Sequence, residues 1–203
     1  MSENIIPLEK PTIESIFKQA FKTMVDQIVV CVVNTVIFGF VCVILCVTII
    51  GILAIPAVVG GYTESMIRAA RGEKVEIGDF FKTGFNKFGT LLGAGILFFF
   101  GVAIGLICFV LPGIYLMVRW FFVTQLIVDK NAGISEAFQQ SGKMVSSIFW
   151  EVLAVFILIS VIEAMGGAIW IGLLITIPYV ALVSAHYYLG LFLEEKDQIE
   201  DDE

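Results

Sequence analysis

Three long apolar runs alternate with short polar stretches along the chain, covering about residues 28–67, 89–129 and 147–193. A helix rises about 1.5 Å per residue and the hydrocarbon core of a bilayer is about 30 Å thick, so each run is roughly twice as long as one crossing needs. Each therefore reads as a helical hairpin with a turn near its centre. The turns are predicted at Thr48-Ile49-Ile50-Gly51, Leu111-Pro112-Gly113 and Gly166-Gly167. Pro56 then falls early in the second helix of its hairpin, where a missing N–H costs little.

The polar stretches have a pattern of their own. Residues 12–27 place Ile13, Ile16, Phe17, Ala20, Phe21 and Met24 on one helical face and Glu14, Lys18, Lys22 and Asp26 elsewhere. That is the period of an amphipathic helix, with Thr12 as its N-cap. Residues 75–88 repeat the pattern through Ile77, Phe80, Phe81, Phe85 and Phe88. Residues 134–146 repeat it through Ile134, Ala137, Phe138, Met144 and Val145, after a turn at Asn131-Ala132-Gly133 and with Ser135 as N-cap. Each of these helices is expected to lie at the membrane surface and lead into a hairpin. The joints Ile13-x-x-x-Phe17, Ile77-x-x-x-Phe81 and Ile134-x-x-x-Phe138 each enclose an acid (Glu14, Asp79, Glu136). They suggest a degenerate three-unit repeat.

The fold class expected is thus all-α: a polytopic membrane protein of about six transmembrane helices in one domain, residues 1–193. Composition agrees. The chain of 203 residues is 59% hydrophobic and 15% charged, and its mean hydropathy is +0.97, where soluble domains carry about 25% charge. The net charge of −7 belongs to the end of the chain. Residues 194–203 hold seven acids and one lysine, leaving 12 acids against 11 bases elsewhere. That segment reads as a solvated, disordered tail, with a basic partner as its possible target. The first 27 residues lack the short basic region and small-residue cleavage site of a signal peptide.

Basic residues set the expected sidedness. Lys10, Lys18 and Lys22 precede the first hairpin; Arg68, Arg71, Lys74, Lys82 and Lys87 separate the first two; Lys130 and Lys143 separate the next two; Lys196 follows the last. The mid-run turns contain no Lys or Arg. With two crossings per run, all basic segments share the cytoplasmic side of a cell membrane, termini included. Hairpins that dip without crossing would give the same pattern.

Polar groups inside such runs are candidates for function. Arg119 lies about 10 residues, roughly 15 Å, from Asp129, which places it mid-bilayer. Glu151 and Glu163 are its candidate partners, as a structural ion pair or as part of a solute path. His186, the one histidine, lies at a depth similar to Glu151 and could bond to it. Asn34 and Glu64 could hydrogen-bond between helices. Gly89, Gly93, Gly101 and Gly105 at four-residue spacing, with Gly166 and Gly167, permit close helix packing or self-association.

Nothing points to catalysis: no nucleophile–base pair, HExxH, P-loop or dinucleotide fingerprint occurs. Cys31, Cys42, Cys46 and Cys108 sit in apolar runs without a CxxC pair and read as small hydrophobes. No metal or cofactor is expected, and no basic face supports nucleic-acid binding.

One set of motifs resembles a family. It comprises Pro56, Gly61 and Arg68-Ala69-Ala70-Arg71-Gly72-Glu73, then Asp79-Phe80-Phe81 with Phe85. Leu111-Pro112-Gly113-Ile114 and Ile134-Ser135-Glu136-Ala137-Phe138-Gln139-Gln140-Ser141 follow. This is similar to uncharacterised prokaryotic polytopic membrane proteins related to the membrane domain of glycerophosphodiester phosphodiesterases. The similarity spans about residues 50–145. It implies a polytopic helical fold and carries over no catalytic residue. The function expected is non-enzymatic: a membrane-organising, scaffold or accessory protein whose partner is the lipid bilayer, self-associating as a homo-oligomer. The alternative is a small transporter or channel using Arg119 with Glu151 or Glu163.

Overall fold

The computed structural model describes residues 12–46, 49–76, 79–168 and 172–201. Among them every regular element is an α-helix: α1 (Ile13–Asp26), α2 (Ile28–Cys46), α3 (Ile49–Ala70), α4 (Asp79–Asn86), α5 (Phe88–Cys108), α6 (Val110–Arg119), α7 (Val123–Lys130), α8 (Ile134–Ser147), α9 (Phe149–Ala168) and α10 (Leu173–Asp201). By length and apolarity, five stretches could cross a membrane: α2, α5, α6 with α7, α9, and α10 as far as Phe192. Large apolar side chains stand exposed along them, including Val29, Phe40 and Val43 on α2, Phe99 and Phe100 on α5, and Met165 on α9. A water-soluble chain rarely leaves so much continuous apolar surface uncovered; a bilayer covers it.

α3 is the remaining long helix. It packs against α2, α4, α5, α7 and α10, so its C-terminal half can carry Tyr62, Ser65 and Arg68 without facing lipid. Tyr62 and Ser65 are buried. Tyr62 bonds the Thr35 hydroxyl of α2 at 2.8 Å and stacks on Phe38, with centroids 4.6 Å apart. Pro56 lies in the interior of α3, two turns after its start, rather than in the opening turn as expected. α3 ends where the Arg-Gly-Glu motif begins. Gly72 takes a left-handed φ of 79°, its N–H bonds Ala69 O at 3.0 Å and the Glu73 N–H bonds Arg68 O at 3.0 Å. This is a Schellman stop, in which glycine avoids the Cβ penalty of that conformation.

Each apolar run divides into successive helices, with the breaks shifted from the expected turns. In the first, α2 ends at Cys46 and α3 starts at Ile49; Thr48 lies outside the described residues. In the second, the reversal falls at Phe109, which is extended (φ −164°, ψ 145°), not at Leu111-Pro112-Gly113. Pro112 instead occupies the first turn of α6, where no intrahelical donor is needed. In the third, α9 ends at Ala168, just beyond Gly166-Gly167, and α10 starts at Leu173.

The amphipathic helices depart from the expected placement. α1, with Ile16, Ala20 and Met24 buried, runs beside α10 in the same chain direction. Tyr179 donates to Phe17 O at 3.2 Å, and six residues later the Thr23 hydroxyl meets His186 Nε2 at 3.0 Å. α8 starts at Ile134 with Gly133 as N-cap, not Ser135, and climbs antiparallel to α7 and α6. Phe138 meets the Trp120 ring edge-on, 4.8 Å away, Ser141 reaches Arg119 and Phe122, and Phe149 beyond it approaches Tyr115 at 5.3 Å. α8 covers its apolar stripe with protein, whereas α1 buries Ile16, Ala20 and Met24 and leaves Phe21 exposed. Finally, α10 continues to Asp201, so most of the acidic segment extends that helix where a disordered tail was expected.

Candidate functional site

The most unusual local structure is the interruption between α6 and α7. Residues Trp120, Phe121 and Phe122 interrupt the helix, and i→i−3 bonds run from Phe121 N to Val118 O and from Val123 N to Trp120 O, both 3.2 Å. A broken helix in hydrocarbon leaves backbone groups that only protein can satisfy. Ser141 of α8, fully buried, supplies both bonds. Its hydroxyl donates to Arg119 O at 2.9 Å and accepts the Phe122 N–H at 3.3 Å. Gly142 beside it is equally specific: a Cβ there would sit 3.0 Å from Arg119 Nε. The Ser141-Gly142 pair thus seats the break.

Arg119 ends α6 half-buried. Its Nη1 donates to Tyr115 Oη at 2.7 Å, and its guanidinium lies 5.9 Å from the Tyr115 ring centroid. Among the described residues no carboxylate comes within ion-pair distance of it. Glu151 and Glu163 are both exposed on α9. His186 pairs with Thr23 rather than with Glu151. Asn34 is fully buried on α2, and Glu64 is half-buried on α3.

A second polar cluster, unforeseen from the sequence, ties the hairpin bases together. Arg71, just after α3, pairs with Asp129 of α7 at 2.6 Å, and the Tyr188 hydroxyl of α10 donates to the other Asp129 oxygen at 3.0 Å. Gln27, between α1 and α2, donates to Ala69 O and Glu73 O, both at 3.4 Å. Lys87, between α4 and α5, donates to Ile127 O at 3.2 Å and to Val128 O. It caps the carbonyl end of α7, where positive charge is favoured. One end of every hairpin therefore meets at a common junction.

The glycines serve contacts within the chain. Gly93 faces Ile134 of α8, Gly101 faces the Trp120 ring, and Gly166 faces Thr176. A Cβ on Gly105 would lie 2.9 Å from Gly113 Cα, so the α5–α6 hairpin needs both glycines. Gly167 has room, and nothing approaches Gly89. Among the described glycines the closest approach to backbone lies outside that set: a Cβ on Gly84 of α4 would fall on the Ala57 carbonyl of α3.

Beside the helix break lies an apolar cavity of about 350 Å³, open on one side. Pro56 and Val59 of α3, Leu91 and Phe98 of α5, and Trp120 and Thr124 line it with neighbouring aliphatic and aromatic groups. Among the described residues, no group of three metal-ligating side chains gathers anywhere. No protein-family model matches the chain, and no curated protein or solved structure matches it.

Proposed function

We propose that this is a non-enzymatic membrane-organising protein that acts through its shape. Six spanning helices, both termini and all basic segments on the cytoplasmic side, form the body. The observation that carries the reading is that α1 leads into Gln27, α4 leads into Lys87 and α8 follows Asp129, so the three additional helices all join the bundle at the common junction. At the opposite ends the helices of each run are separated by no more than four residues, Cys46 from Ile49, Cys108 from Val110 and Ala168 from Leu173. Three additional helices attached at one end of the spanning body broaden that end, and such a body favours a curved leaflet. The motifs shared with membrane domains of glycerophosphodiester phosphodiesterases fit a polytopic fold and supply no activity.

A solute path past Arg119 is the second reading, favoured by the α6–α7 interruption, since interrupted helices recur at transporter binding sites. Its support is thinner. Arg119 is bonded to Tyr115, Glu151 and Glu163 face outward, and the cavity beside the break is apolar. The two readings separate in one preparation of liposomes carrying the purified protein. The shape reading expects vesicles that become smaller or tubular as protein density rises while retaining a trapped ion and a small solute. Spherical vesicles with a leak abolished by Arg119→Ala would establish the path instead.

A further inference from the structure

The cavity and Lys87 together form a site, and we propose that it holds an anionic phospholipid, with one acyl chain in the cavity and the phosphate on the Lys87 ammonium. This goes beyond the shape reading and does not depend on it. The wall of the cavity is built for hydrocarbon. Of its lining residues only Thr124 and Trp120 carry a side-chain oxygen or nitrogen, and its volume of about 350 Å³ falls in the range of ligand-holding pockets, roughly 300–1,000 Å³. Val59 on its wall is exposed, as are Ile96 and Leu97 beside it on α5, so what surrounds it is acyl chain rather than water.

The headgroup end is set by Lys87. Lys87 O accepts the Leu91 N–H at 2.9 Å, so Lys87 stands one turn from a lining residue, at the end of α5 where hydrocarbon gives way to headgroups. Its ammonium spans to Ile127 O, and Ile127 also lines the cavity. An ammonium has three donors; the carbonyls of Ile127 and Val128 take two, which leaves one for a phosphate oxygen. Among the described residues no carboxylate neutralises Lys87. A positive charge half-buried at the rim of an apolar cavity complements a negative headgroup on an apolar tail.

Trp120, on the cavity wall, is a built-in reporter. The chain has three tryptophans, so Trp150→Phe with Trp170→Phe leaves Trp120 alone. The full-length protein is reconstituted in phosphatidylcholine containing a small fraction of acyl-brominated phosphatidylglycerol or acyl-brominated phosphatidylcholine, since bromine quenches tryptophan on contact. The expected preference for the anionic lipid at Trp120 is about fivefold, the contribution of one basic residue at an anionic surface. Lys87→Gln should bring it to about one, Lys87→Arg should retain it, and Lys143→Gln, at an exposed position of α8, should leave it unchanged. Val59→Phe, at the open side of the cavity, should reduce quenching by both lipids without touching the α7 cap. Equal quenching of wild-type Trp120 by the two lipids would overturn the proposal. So would a preference that survives Lys87→Gln, or a Trp120 reached by neither lipid because a second copy covers the cavity.

Discussion

At the scale of single residues, the chain solves one problem repeatedly: satisfying backbone groups that lie out of reach of water. Ser141 is the clearest instance, because one hydroxyl completes both sides of the helix break. Ser141→Ala leaves the Phe122 N–H and the Arg119 carbonyl unpaired in a buried site. Two orphaned groups at about 1–3 kcal/mol each, partly relieved by local tightening of the ladder, should cost about 2 kcal/mol. Unfolding in graded denaturing detergent measures this, with Ser146→Ala, on an exposed position of the same helix, expected within about 0.5 kcal/mol of wild type. Arg119 stood out in the sequence because a lone charge in an apolar run is conspicuous. Ser141 did not, since a serine on an amphipathic helix is ordinary, and its partners are 19 and 22 residues away. Asp129, Arg71 and Tyr188 escaped for a similar reason. Each reads as an unremarkable residue at the end of an apolar run, and their meeting is tertiary.

At the scale of elements, periodicity located most helices, because apolar run length and the 3.6-residue face are local properties. The second hairpin shows where that stops. Pro112-Gly113 looks like a turn, yet proline is equally comfortable in the first turn of a helix, and Gly113 is needed for contact with Gly105. The reversal therefore moves to Phe109. The amphipathic helices show a second limit. A face of Ile16, Ala20 and Met24 is the same whether it meets lipid or protein, so sequence alone assigns it to the membrane surface while the fold assigns it to α10 and its neighbours. Gly84 and Gly89 give a direct test of which glycines matter. Gly84→Ala should force α4 away from α3 and lower stability by about 1–3 kcal/mol, the usual cost of overpacking. Gly89→Ala, with open space around it inside a helix, should be neutral or slightly stabilising. The same detergent titration reads both.

At the scale of the molecule, the shape reading rests on a single geometric condition: α1, α4 and α8 must join the bundle on the same side of the membrane. The contacts gather the hairpin bases through Asp129, Gln27 and Lys87, and the basic residues cluster in the same segments. If runs crossed once instead of twice, those segments would alternate between sides and no half of the body would be broader. Sidedness is therefore what decides between a wedge and a symmetric bundle. Single cysteines at Glu73, Asn131, Phe109 and Gly167, introduced after Cys31, Cys42, Cys46 and Cys108 are changed to alanine, can be probed with a membrane-impermeant thiol reagent in sealed, oriented vesicles. Glu73 and Asn131 should label from the cytoplasmic side only, and Phe109 and Gly167 from the opposite side only. Labelling of Glu73 and Asn131 from opposite sides would contradict the account.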